Sequence, residues 1–211
     1  MKLKDVELFY QRLAEIDPEP KGELIFVNTY TLLVAVVLSA QATDVGVNRA
    51  TRRLFEIVRT PQQMVKLGED ALIKHIRTIG LFRTKAKNII SLSEKLIEEH
   101  GSEVPDDRNA LIGLPGVGRK TANVVLNIAF GRPTMAVDTH IFRVSNRTGL
   151  APGKNVDAVE KALLRRTPKD YLHNAHHWLI LFGRYTCKAR KPMCDSCNNS
   201  DICQYRVKSK S

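Results

Sequence analysis

The chain has 211 residues, 43% hydrophobic and 26% charged, with a net charge of +11 and a pI near 9.7. That balance excludes global disorder and suits one large domain or two small ones. The longest apolar run, Leu32 to Leu38, is far short of the ~20 residues a bilayer needs, and Met1-Lys2-Leu3-Lys4-Asp5 carries no apolar signal region. A cytoplasmic protein of bacterial or archaeal type with no membrane partner is expected. The positive charge is spread through folded sequence, so nucleic acid is the expected polyanion; a merely basic, solvated surface is the alternative.

Apolar periodicity predicts helices almost throughout. Val6 to Ile16 reads as amphipathic, and Thr29 to Ala40 is apolar on nearly every side, as a buried central helix would be. Val45 to Val58 follows, with Asp44 as its expected cap. Pro61 to Leu67 begins with proline after Thr60, and Glu69 to Thr78 is expected to end at Gly80 as its C-cap. Arg83 to His100, Asp107 to Gly113 and Arg119 to Phe130 come next. Asp138 is expected to cap a helix running to Thr148; Val156 to Arg166 and Tyr171 to Arg184 complete the set, with Trp178 and Phe182 packing inward. No sustained period-2 segment appears, so an all-α fold is expected.

Leu114-Pro115-Gly116-Val117-Gly118-Arg119-Lys120 joins two of these helices. Pro115 helps stop the first. Gly116 and Gly118 permit positive φ and leave no side chain between backbone and ligand. Their N–H groups and the start of the next helix form a site for one anion, for which a DNA phosphate is the candidate. The G-x-x-x-x-G-K-[ST] spacing of a P-loop is missing, and a ligand-free turn is the alternative. Lys120 falls in the first turn, where the helix dipole disfavours positive charge and an amine nucleophile gains. The bland alternative is a lysine that only touches phosphate. Asp138, in Ala136-Val137-Asp138-Thr139-His140, reads as an N-cap that can also serve as an exposed carboxylate.

All four cysteines fall in one segment, Cys187-x6-Cys194-x2-Cys197-x5-Cys203. In a reducing compartment such a cluster points to a metal, and the residues alone leave zinc and an iron–sulfur cluster both open. The first loop between them, Lys188-Ala189-Arg190-Lys191-Pro192-Met193, reads as a basic phosphate-binding patch through Lys191, with a solvated loop as the alternative.

Leu114 to Ala122 resembles the helix-hairpin-helix of the endonuclease III family of DNA glycosylases. Val137-Asp138-Thr139-His140, Leu38 to Asp44 and the cysteine tail resemble the same family, so the likeness covers nearly the whole chain. It implies a two-lobed, all-α glycosylase fold with a central cleft and a C-terminal [4Fe–4S] cluster loop. Residues 22–132 would form a helical-barrel domain holding the hairpin (about 107–130). Residues 1–21 with 133–211 would form a discontinuous second domain carrying the cluster (187–203).

The resemblance also implies a monomeric base excision repair enzyme acting on double-stranded DNA with damaged bases or abasic sites, and associated with the nucleoid through that DNA. It would remove oxidised pyrimidines such as thymine glycol and cut 3′ to the abasic site by β-elimination through a Lys120 Schiff base. Asp138 would stabilise charge on the sugar. Cys187, Cys194, Cys197 and Cys203 would hold a structural [4Fe–4S] cluster. Gln41 and Leu81 would fill the hole left by the flipped base, although Leu81 could equally be core packing. Gly116, Val117, Gly118, Arg119 and Lys191 would bind the DNA backbone. Competing readings are a monofunctional glycosylase or a mismatch-specific relative, a non-catalytic DNA-binding module and a zinc-stabilised structural protein.

Overall fold

A computed structural model describes residues 1–205; residues 206–211 of the expected second domain lie outside the described residues. Every regular element among the described residues is helical, so the fold is all-α. The chain divides into two compact units, one of Met1–Gly22 with the chain from Pro133 onward and one of Glu23–Arg132.

Helix α1 (Leu3–Ile16) belongs to the first of these units and buries Val6, Phe9, Tyr10 and Leu13 along one face. The contiguous unit begins with α2 (Thr29–Ser39), which is apolar on every side and buries Tyr30 through Leu38. Asn28 opens it with a capping box: its side chain accepts the Thr31 N–H at 2.9 Å, and the Thr31 hydroxyl accepts the Asn28 N–H at 2.9 Å.

The helix expected over 45–58 is broken into α3 (Asp44–Thr51) and α4 (Leu54–Ile57). The Thr51 hydroxyl donates to the Val47 carbonyl at 3.0 Å, a local bond that competes with the helical ladder. Thr43, not Asp44, caps α3, accepting the Gly46 N–H at 3.1 Å. Then come α5 (Pro61–Leu67), α6 (Glu69–Ile76), α7 (Phe82–Glu99), α8 (Arg108–Ile112) and α9 (Arg119–Phe130). Helix α2 packs on α3, α7 and α9, while α5 and α6 pack on α7. Leu32, Leu38, Leu54, Met64, Ile76, Ile89 and Leu96 are among the fully buried side chains of this core.

The first unit is completed by α10 (Thr139–Thr148), α11 (Val156–Arg166) and α12 (Lys169–Leu181). The last helix does not run on to Arg184 as the periodicity predicts. It widens into a π-helical turn over Phe182–Thr186, closed by the Cys187 N–H on the Phe182 carbonyl at 2.7 Å. The core here is aromatic: Phe9 meets Phe182 edge-on at 5.3 Å, and Tyr10 lies against Tyr171 and Trp178. Trp178 Nε1 donates to the Asp17 carbonyl at 2.7 Å, which fixes the end of α1. Among the described residues, no helix is long and apolar enough to cross a membrane.

Candidate functional site

The turn between α8 and α9 is anchored from beneath and open above. Asp107 caps α8 through the Ala110 N–H at 2.8 Å. Leu114 and Val117 are buried in the core, and the Val117 N–H is committed to the Leu114 carbonyl at 3.1 Å. Val117 therefore anchors the turn and has neither side chain nor N–H free on its outer face. Gly116, Gly118, Arg119 and Lys120 are exposed.

The two glycines play different parts. Gly116 has φ of +76°, and a Cβ there would come within 2.9 Å of the Asn88 Cβ on α7. Gly118, whose freedom as a glycine would also permit a positive φ, is extended, with φ of −91° and ψ of 175°, and a Cβ there would meet nothing within 4 Å. Gly118 is the N-cap of α9, and no side chain caps that helix. Its first N–H groups thus have no intrahelical acceptor and point at whatever approaches the turn. Lys120 projects from this first turn.

Gln41 and Leu81 lie in the same unit, on the turns after α2 and before α7. Both are exposed, and both hold left-handed backbones, at φ of 55° and 59°. Leu81, rather than Gly80, takes the left-handed conformation between α6 and α7. At 63% exposed, Leu81 is not core packing. The adjoining α7 residue Lys85 is buried, and its Nζ donates to the carbonyls of Leu38 at 2.9 Å and Ala40 at 2.6 Å. Burial draws its pKa below the ordinary lysine value.

In the other unit, Asp138 is the N-cap of α10, as its place in the sequence suggests. Its Oδ1 accepts the N–H groups of His140 and Ile141, each at 2.9 Å, and its Oδ2 lies 3.2 Å from His140 Nδ1. The carboxylate is nonetheless 14% exposed. The same helix reaches the cysteine segment at its far end. Arg143 donates to the carbonyls of Gly183 at 2.7 Å and Cys187 at 3.2 Å. Arg147 donates to the carbonyls of Lys188 at 2.6 Å and Ala189 at 3.1 Å, and reaches Cys187 Sγ at 3.6 Å.

The four cysteines are free thiols and line one pocket, shared with Arg147, Phe182 and Tyr205. The Cys203 Sγ accepts the Tyr205 N–H at 3.4 Å. Burial first, then the neighbouring cysteines, raises the thiol pKa values of Cys197 and Cys203. Among the described residues, no group of three or more His, Cys, Asp or Glu is arranged to hold a single metal ion. Lys191 is exposed at the tip of the first inter-cysteine loop, with φ of +50°. Arg143 and Arg147, which hold that loop's base, were not singled out by sequence; their one signal is the i,i+4 spacing on the helix that Asp138 starts.

An all-helical fold with a glycine turn that opens a helix N-terminus before a lysine defines a helix-hairpin-helix protein. The model of the HhH-GPD superfamily base excision DNA repair protein matches residues 34–169, and the chain belongs to this family. Endonuclease III of Escherichia coli (strain K12) is 56% identical over 98% of this chain and 98% of its own. Endonuclease III of Bacillus subtilis (strain 168) is 47% identical over 97% and 94%. Among solved structures, a trapped endonuclease III–DNA covalent intermediate matches with a TM-score of 0.90 and 46% identity, covering 97% of this chain and 96% of that one. A thermostable thymine-DNA glycosylase matches at 0.85 and 25%, covering 96% of each.

Proposed function

We propose that this chain is a bifunctional DNA N-glycosylase and AP lyase of base excision repair that takes oxidised pyrimidines, such as thymine glycol, from double-stranded DNA. The observation that carries the reading is Lys120, an exposed amine on the first turn of a helix whose N-terminus no side chain caps. A phosphate held by the N–H groups of that turn brings the sugar–phosphate backbone to the lysine. The likeness to a trapped endonuclease III–DNA covalent intermediate supports covalent chemistry.

The damaged nucleotide is turned out of the stack. Lys120 attacks the sugar C1′, the base departs, and a Schiff base forms. β-Elimination then breaks the strand on the 3′ side. Asp138 stabilises positive charge on the sugar and takes up the lysine proton. Gln41 and Leu81 enter the vacated stack. Gly116, Gly118, Arg119 and Lys191 hold the backbone, with Val117 supporting the turn. The protein acts as a monomer in the cytoplasm, on the nucleoid.

Cys187, Cys194, Cys197 and Cys203 would hold a [4Fe–4S] cluster with a structural role. Four free thiols around one pocket and N–H donors aimed at two of the sulfurs fit a thiolate-bound group of several atoms. Held there, such a cluster would make the loop that presents Lys191 rigid, with no part in base removal.

The test is borohydride trapping on a thymine-glycol duplex. Wild-type protein should give a covalent enzyme–DNA species, and Lys120→Ala should give none. Equal trapping in that variant would refute the assignment of the nucleophile.

A further inference from the structure

Three non-glycine residues of the contiguous unit hold left-handed backbones, the half-buried Ser102 and the exposed Gln41 and Leu81, and only the last two lie next to Lys85 contacts. Such conformations persist for residues with a Cβ only where the surroundings enforce them. Lys85 is bonded to both turns. Its N–H donates to the Leu81 carbonyl at 3.0 Å, closing the first turn of α7. Its ammonium donates to the carbonyls of Leu38 and Ala40 at the end of α2, and Gln41 is the next residue. A helix end leaves those carbonyls without intrahelical donors, and its dipole favours a cation there. The Ala42 N–H on the Ser39 carbonyl at 3.0 Å then closes the Gln41 turn. A buried ammonium costs desolvation that a purely packing residue would avoid, so its retention at this junction needs these two acceptors.

We propose that Lys85 is a positioning residue that locks the Gln41 and Leu81 turns into one two-pronged wedge for the DNA stack. This rests on the reading that both side chains enter the stack. A wedge made of two separate turns works only if their spacing is fixed before DNA arrives, because loosening either prong returns the cost of ordering it to the extrusion step. Lys85 fixes that spacing from inside the protein without touching DNA.

The experiment compares holoprotein carrying Lys85→Met with wild type in single-turnover base release from a thymine-glycol duplex and in β-elimination at a pre-formed abasic site, where no base has to be unpaired. Base release should fall by about tenfold or more, and β-elimination by less than about threefold. Parallel loss of both, tracking loss of folded protein, would mean a structural role only and would overturn the proposal. Should Lys85→Met fail to fold, Lys85→Gln, whose amide nitrogen is uncharged and one bond shorter in reach, undergoes the same comparison with the same two outcomes. Gln41→Ala and Leu81→Ala separate this proposal from the reading beneath it. If neither slows base release, the wedge reading fails. If both do while Lys85→Met does not, Lys85 is not what positions them.

Discussion

Arg132 and Asp106 form a two-point fork, Nε to Oδ1 at 3.0 Å and Nη2 to Oδ2 at 2.7 Å, that joins the entrance of α8 to the exit of α9. Asp106 directly precedes the cap of α8, and Arg132 directly follows the left-handed Gly131 that ends α9. The ends of the helix-hairpin-helix are thus tied together on the side away from its turn. The pairing holds the Asp106 carboxyl below the usual carboxylate range, chiefly through the Arg132 hydrogen bonds.

A group with a depressed folded-state pKa contributes stability that is complete above its unfolded value, ~3.9 for aspartate, and is lost as pH falls through the folded value. The thermal midpoint of wild type should therefore exceed that of Asp106→Asn at neutral pH by a small margin, as expected for an exposed pair. The gap should close in acid below the ordinary aspartate range. A gap unchanged across that range would show that the fork adds nothing through charge.

The two glycines of the turn should separate fold from binding. Gly116→Ala forces a left-handed alanine against Asn88 and should cost about 1–3 kcal/mol by denaturant titration. Gly118→Ala has a compatible backbone and open space. A poorer N-cap and a less flexible unfolded chain should offset each other to within ~0.5 kcal/mol. Its methyl group nevertheless projects where a phosphate would approach, so DNA affinity should drop while stability holds.

At Lys191 charge and conformation pull in opposite directions. Lys191→Glu should weaken DNA binding and lessen the dependence of log K on log salt by about one phosphate contact. Lys191→Gly removes the charge but suits φ of +50°, so it should show a similar loss of salt dependence with stability unchanged or raised by up to ~1 kcal/mol. An unaltered salt slope in both variants would leave Lys191 a solvated surface residue.

Arg147→Ala should release the base of the cysteine loop. It removes charge-assisted bonds to two carbonyls and to Cys187 Sγ, an expected loss of about 2–4 kcal/mol. Iron content and visible absorbance of the purified protein should fall, and DNA affinity with them. Arg147→Lys, which cannot fork to two carbonyls, should recover only part of either.

The parts of the site legible in the sequence are those whose chemistry is local. Asp138 before a periodic run is a cap, and a glycine turn before Lys120 is a helix N-terminus. What the sequence hides is the partner of a side chain when that partner is a backbone carbonyl. Lys85, Arg143 and Arg147 all spend their charges on carbonyls, which every residue carries, so no pattern marks them. Backbone strain is hidden as well. Glycine is the natural candidate for a left-handed turn, yet Leu81 takes it and Gly80 does not. The π-helical turn at Phe182–Thr186 is set by tertiary contact: a Cβ on Gly183 would come within 2.9 Å of the His140 Cβ, and its carbonyl is the Arg143 acceptor.

The aromatic face of α1 carries a cost in order of assembly. Phe9 and Tyr10 leave the ribosome early, but Thr167, Tyr171, Trp178 and Phe182, which cover them, emerge only after Glu23–Arg132 has been made in full. That intervening unit can complete its own core during synthesis, whereas α1 must wait with its apolar stripe uncovered and then close a very long loop. Refolding of the unit it belongs to should be the slower phase, and the nascent chain is most exposed to aggregation at its first helix.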